Sequence, residues 1–281
     1  MRVSFLGLIV PFVAFLSVLV GAGAHDKPPA VILVPGAFHR PNVYYKAMQI
    51  LRRDRYRDLF TIHLPSLGTL EGRQADVNVV RSFLSQQLNK GKDVLLVGNS
   101  YGGTVIGEAV KDFISFSSVS TTPTPPGKGR ILGLIFLSGY IPYITEVTQP
   151  QTRPDIKTVS PSFFRFNETG RVFWDNDLEN YPPSKTFYNL LSAKDAQFWS
   201  SRLDFSAFAA LNATATYIPY TGDFKCVYAV GLQDNSIPPA FAYTFINQPG
   251  ANFTVETLNS DHISPLSVPY DVAGLIKKYS E

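Results

Sequence analysis

Lys92-Asp93-Val94-Leu95-Leu96-Val97-Gly98-Asn99-Ser100-Tyr101-Gly102-Gly103, running on into Thr104-Val105-Ile106-Gly107-Glu108-Ala109-Val110, joins an apolar strand to a helix through a Gly-x-Ser-x-Gly turn. Such a turn is so tight that its central residue takes strained backbone angles, and the residues two before and two after it must lack side chains, as Gly98 and Gly102 do. Ser100 is then held above the sheet beside a helix N-terminus, where the Tyr101 N–H can meet an oxyanion. The flanking strand and helix favour a nucleophile over an ordinary strand-to-helix turn.

Short apolar runs recur outward from this turn at Ala30–Val34, Leu59–Leu64, Val94–Val97, Ile131–Leu137, Cys226–Val230 and Phe253–Leu258. They read as six buried parallel strands. Helical segments alternate with them at Asn42–Arg53, Ala75–Leu88, Gly103–Ile114, Pro239–Ile246 and Val268–Tyr279. The alternation predicts an α/β fold: a mostly parallel six-stranded sheet with helices on both faces and ligand chemistry at the strand C-terminal ends. Ser117–Arg130, rich in Ser, Thr, Pro and Gly, reads as a surface loop.

The connection from Tyr140 to Asp223 is far longer than a crossover needs, which predicts an inserted helical lid at about 140–223. Residues 140–220 hold both tryptophans, six of the 14 tyrosines and eight of the 21 phenylalanines. That enrichment points to an apolar pocket wall above Ser100, with Trp174 and Trp199 as candidate pocket residues, although most of the rings serve the lid's own core.

A nucleophilic serine needs a base, and the chain has only His25, His39, His63 and His262. His262 alone follows the last strand and so falls at the same sheet edge as Ser100; the others read as surface or turn-packing residues. No pair has metal-ligand spacing, and neither metal nor cofactor is expected. Orienting His262 requires a carboxylate at a neighbouring strand end, and Asp234, just beyond Val230, qualifies. Asp223 precedes its strand, Glu256 lies within the final strand, and Asp261 adjoins His262 too closely.

With 281 residues, 45% hydrophobic and a net charge of +3, one large α/β domain accommodates the chain after its N-terminus. No clustered basic tract marks a nucleic-acid partner, and Arg52-Arg53-Asp54-Arg55 reads as a solvated helix end. Arg2 followed by the apolar run Val3–Val20 and by Gly21-Ala22-Gly23-Ala24 reads as a signal peptide over 1–24, leaving a domain of 25–281. An uncleaved membrane anchor is the competing reading. Sequons at Asn167, Asn212 and Asn252 agree with secretion, with glycosylation and with no stable membrane partner once the signal is cleaved. Cys226 is the single cysteine and reads as a buried packing residue.

Four blocks in order, Val31-Ile32-Leu33-Val34-Pro35-Gly36-Ala37-Phe38-His39, Gly98-Asn99-Ser100-Tyr101-Gly102-Gly103, Asp234-Asn235-Ser236-Ile237-Pro238 and Asp261-His262-Ile263-Ser264-Pro265-Leu266-Ser267-Val268-Pro269, resemble the α/β-hydrolases of the plant methylesterase and hydroxynitrile lyase type and their fungal and bacterial esterase-like relatives. The chain order Ser, Asp, His is the order expected there. The resemblance implies that Ala37 supplies a second oxyanion N–H beside that of Tyr101, and that Phe38 lies near the acyl side of the pocket. Pro35 stands where the family usually has His. Gly36 and Ile263 stand where the lyase branch has Thr and Lys, which argues against stabilising a departing cyanide. The expectation is a secreted, cofactor-independent carboxylesterase acting on a small apolar ester through Ser100, His262 and Asp234. A lyase or other non-hydrolytic enzyme, or a non-catalytic small-ligand-binding protein on the same fold, remains the alternative.

Overall fold

The computed structural model describes residues 28–281, so the segment 1–24 expected to be a signal peptide and His25 lie outside the described residues. The six apolar runs form strands β1 (Ala30–Val34), β2 (Leu59–Thr61), β3 (Val94–Asn99), β4 (Ile131–Leu137), β8 (Cys226–Gly231) and β9 (Thr254–Leu258). All neighbours pair in parallel, in the order β2-β1-β3-β4-β8-β9. The central strands β1, β3 and β8 are buried along their whole length. Each aliphatic side chain removed from water there contributes about 1.5–3 kcal/mol.

The two edge strands depart from the expected burial: β2 is half-buried along its length. β9 is the opposite edge, and along it only Leu258 is buried.

The helices of the body are α1 (Tyr45–Arg53), α2 (Arg73–Asn89), α3 (Tyr101–Ala109), α9 (Pro239–Ile246), α10 (Ser264–Ser267) and α11 (Pro269–Lys278). α1 packs with α11, and α2 with α3. On α2 the buried Val77, Val80, Leu84 and Leu88 recur at helical spacing and form the stripe that meets the sheet. The Arg52–Arg55 run ends α1 fully exposed, the 117–130 segment carries no strand or α-helix, and Cys226 is a buried free thiol whose acidity burial suppresses.

The long insertion between β4 and β8 carries α4 (Ile144–Thr148), α5 (Ile156–Val159), α6 (Pro183–Thr186), α7 (Ala193–Ser200) and α8 (Phe208–Leu211), and with them a second sheet that its aromatic composition alone does not announce. Strands β5 (Arg165–Phe166), β6 (Arg171–Phe173) and β7 (Ser206–Ala207) pair antiparallel in the order β5-β6-β7. The insertion is clasped to the body at its far end. Arg73 on α2 donates to the carbonyls of Ala210 and Leu211 and pairs with Glu108 on α3 at 3.2 Å, all of it buried.

Strand order determines where a site can form. The chain runs outward from β1 to β2 and then returns to the other side of β1 as β3, so the loops leaving β1 and β3 diverge and leave a crevice at their C-terminal ends. Register places Val34 beside Gly98, Asn99 beside Leu137, and Gly231 beside Leu258 on that same edge.

Candidate active site

Ser100 follows β3 directly and has φ 52° and ψ −124°, the strained conformation expected for this turn. The conformation is over-determined by its surroundings. The Ser100 N–H donates to the Leu137 carbonyl at 3.0 Å, and the Ser100 carbonyl accepts from Gly103 and Tyr140 at 2.8 and 2.9 Å. A β-carbon on Gly98 would collide with the Gly102 backbone, and one on Gly102 with the Val34 carbonyl, so neither position tolerates a side chain. Gly36 is equally close: a β-carbon there would lie 2.8 Å from Ser100 Cβ and 3.4 Å from its Oγ. The loop after β1 therefore sits directly on the serine.

His262 and Asp234 meet as the strand ends require, His262 Nδ1 to Asp234 Oδ2 being 2.8 Å. Both are almost fully buried. A carboxylate only accepts, so Nδ1 carries a proton, which leaves Nε2 as the nitrogen free to exchange one. The other carboxylate oxygen accepts from the Ser236 and Ile237 N–H groups at 2.7 and 2.8 Å, which anchors Asp234 to its own turn.

Asn99 links the two halves of the site. Its Nδ2 donates to the Leu137 carbonyl and to the His262 carbonyl, each at 3.0 Å, so the residue beside Ser100 holds the histidine loop in place. Its neighbourhood in sequence carries no sign of this role, because the partner lies 163 positions away. Asn99 is fully buried, and Asn99→Ala would leave the His262 carbonyl without a donor and the Leu137 carbonyl with the Ser100 N–H alone. The expected loss is about 1–3 kcal/mol of stability, read as a lowered midpoint in chemical denaturation.

The rejected carboxylates are accounted for elsewhere. Asp223 accepts from the Tyr217 hydroxyl at 2.7 Å, and Glu256 from Lys278 at 2.6 Å. Asp261 accepts from Ser267 Oγ, Ile263 N–H and, across to the insertion, Leu190 N–H. Burial pushes its carboxyl up, and those hydrogen bonds oppose the rise.

The remaining described histidines fall as expected, His63 exposed and His39 packed in a turn. His39 Nδ1 lies 2.7 Å from the Ala37 carbonyl and Nε2 lies 2.8 Å from the Tyr188 hydroxyl. Since a carbonyl only accepts, Nδ1 is the protonated nitrogen and Tyr188 donates to Nε2. Burial drives its pKa down to about 3, against a raising effect of the Ala37 hydrogen bond and with a further lowering from nearby His262.

Lid aromatics do gather at the site. Phe38 meets Phe164 edge-on at 5.2 Å, Trp174 at 5.8 Å and Phe187 at 6.3 Å between ring centroids, and Phe187 lies 5.8 Å from the His262 ring. Trp174 thus belongs to the cluster around Phe38. Trp199 does not: its ring partner is Phe198 on its own helix, because α7 turns Trp199 inward to serve the insertion's core. Phe187, which touches both His39 and His262, goes unremarked in the sequence because nothing in its local pattern separates it from the other lid rings.

A groove of about 400 Å³ lined by Gln74, Asn78, Arg81, Glu108, Lys111 and Asp112 lies elsewhere. It opens near the far end of α3, about 12 Å along the helix from Ser100, and presents charge rather than a nucleophile. Among the described residues, no cluster of three or more His, Cys, Asp or Glu side chains gathers as a metal site, and no helix is long and apolar enough to cross a membrane. Of the sequons, Asn252 is exposed, while Asn167 and Asn212 are half-buried with their side-chain carbonyls engaged.

The chain belongs to the alpha/beta hydrolase family, which it matches over residues 31–275. It is 25% identical over 256 residues to the alpha/beta hydrolase nvfD of Aspergillus novofumigatus, covering 89% of this chain and 95% of that one. Among solved structures it is similar to a pyrethroid hydrolase from Sphingobium faniae, with a TM-score of 0.67, 15% identity, and 90% and 97% of the two chains covered. Polyneuridine aldehyde esterase gives the same TM-score at 17% identity, covering 91% of this chain and 100% of that one.

Proposed function

We propose that this protein is a serine hydrolase, a carboxylesterase acting on a small apolar ester through Ser100, His262 and Asp234. The observation that carries the reading is the joint geometry of the strained Ser100 turn, its Asn99 tether to His262, and the 2.8 Å contact of His262 with Asp234.

In this mechanism Ser100 Oγ attacks the ester carbonyl while its proton passes to His262 Nε2. Asp234 holds the imidazolium, and the Ala37 and Tyr101 N–H groups receive the oxyanion. Collapse expels the alcohol, which takes the proton back from His262. Water then attacks the acyl-enzyme with His262 again as base, releasing the acid and restoring Ser100. Buried Ile263 puts no cation beside the histidine, which favours hydrolysis over cyanide release.

Similarity to a pyrethroid hydrolase and to polyneuridine aldehyde esterase supports ester chemistry on this scaffold. The Phe38, Phe164, Trp174 and Phe187 rings support an apolar substrate. Secretion and glycosylation, with Asn252 the most accessible acceptor, complete the proposal.

The test is covalent labelling by a fluorophosphonate probe followed by an ester panel. Labelling at Ser100 is expected. Each added methylene of acyl or alcohol group is expected to raise kcat/KM by up to about fourfold, the equivalent of about 0.8 kcal/mol. Preference for small polar esters would overturn the apolar pocket, and absence of labelling would overturn the nucleophile.

A further inference from the structure

The insertion does more than cover the site, because it holds the loop after β1 residue by residue. Phe38 has φ 68°, a conformation an L residue keeps only under constraint. Its N–H donates to Ser206 Oγ at 2.9 Å, and its carbonyl accepts from the Asp204 N–H at 3.0 Å. The Ala37 carbonyl accepts from His39 Nδ1, whose Nε2 in turn accepts from Tyr188. Arg40 pairs with Asp204 at 2.7 Å. Three consecutive residues and the side chain of a fourth are thus tied, directly or through one imidazole, to residues 188, 204 and 206.

We propose that Ser206 and Tyr188, both from the insertion, are positioning residues that hold the Ala37 N–H in line with the oxyanion. The inference rests on the reading of Ala37 as an oxyanion donor. The peptide joining Ala37 to Phe38 is clamped at both ends, its carbonyl by His39 and its N–H by Ser206, and the preceding peptide, which carries the Ala37 N–H, is held through its Gly36 carbonyl, which accepts from the His39 N–H at 3.4 Å. Phe38, His39, Tyr188 and Ser206 are all almost fully buried, and no bulk water replaces a lost partner.

The same strand reaches the second donor. The Ala207 N–H donates to the Ser66 carbonyl, the Ser66 N–H and hydroxyl donate to Asp76, and the Tyr101 hydroxyl donates to the same carboxylate at 2.8 Å. β7 is therefore joined by polar contacts to both residues whose amides face the oxyanion. A lid that swung this strand away during turnover would dismantle the site, so the segment 204–207 acts as a fixed brace and any motion that admits substrate lies elsewhere.

The experiment compares wild type, Ser206→Ala and Tyr188→Phe by steady-state kinetics on the best panel ester, melting curves and amide hydrogen exchange. Each variant removes one hydroxyl from a buried side chain. Expected is a fall in kcat of about tenfold to hundredfold with KM changed less than about threefold, as for a misaligned oxyanion donor. Exchange at the Phe38 amide is expected to rise about tenfold or more in Ser206→Ala while the strands stay protected. Wild-type kcat in both variants, or faster exchange spread over the whole domain, would overturn the brace. If wild type itself neither turns over esters nor takes the fluorophosphonate label, the hydrolase reading fails separately. Exchange at Phe38 then decides alone: unchanged protection overturns the brace and a local rise supports it.

Discussion

Ser100→Ala should abolish ester turnover while leaving the fold intact. In the proposed mechanism the Ser100 hydroxyl forms the acyl-enzyme, so turnover is expected to fall by about 10⁴-fold or more, leaving what the oxyanion donors and substrate positioning give to attack by water. The stability change should be small, within about 1 kcal/mol. Ser100 is half-buried, and its backbone bonds to Leu137, Gly103 and Tyr140 do not involve the side chain. Alanine adds no bulk where Gly36 already presses on the β-carbon. Hydrolysis and melting curves measured together decide the matter. Substantial residual turnover in a folded Ser100→Ala protein would remove Ser100 from the mechanism.

Acid should unfold the protein in a way that His39 dominates and His39→Gln relieves. Burial holds the pKa of His39 at about 3 in the folded chain, whereas an unfolded histidine titrates near 6.5. Between those values the unfolded chain carries a proton that the folded chain refuses. The contribution is therefore fully present above about pH 6.5 and is lost progressively as pH falls toward about 3, with a slope approaching about 1.4 kcal/mol per pH unit. Asp76 and Asp261 act in the opposite sense. Burial raises their pKa values, so their folded forms retain protons that the unfolded chain releases, and stability is lost as pH rises through that window. They flatten the wild-type curve and leave the difference between wild type and His39→Gln to report His39 alone. Denaturation midpoints from pH 4 to 8, about the span of that window, should diverge on acidification, with wild type falling more steeply. Parallel curves would show that His39 is protonated in the folded chain.

Much of the architecture is legible along the chain because it depends on local pattern. The apolar runs mark all six strands of the main sheet, and α9 has the bounds that its hydrophobic stretch predicts. The Gly-x-Ser-x-Gly turn announces its strain because close packing leaves only glycine at two positions. Ser100, Asp234 and His262 can be picked out since each ends a strand on the same edge of a parallel sheet, a consequence of topology that needs no contact information.

What escaped the linear pattern depends on partners remote in sequence. Asn99 matters through a carbonyl 163 residues away, and Phe38 through a hydroxyl 168 residues away. The low burial of β2 and β9 follows from their places at the two edges of the sheet, and the small antiparallel sheet of the insertion from pairings between strands of two or three residues, too short to leave a periodicity. Trp174 and Trp199 are equivalent as letters, yet one packs on Phe38 and the other is buried with Phe198 of its own helix as ring neighbour. Periodicity records which face of an element avoids water; which side chains then meet across elements depends on register and crossing geometry, and these exist only once the chain has closed on itself.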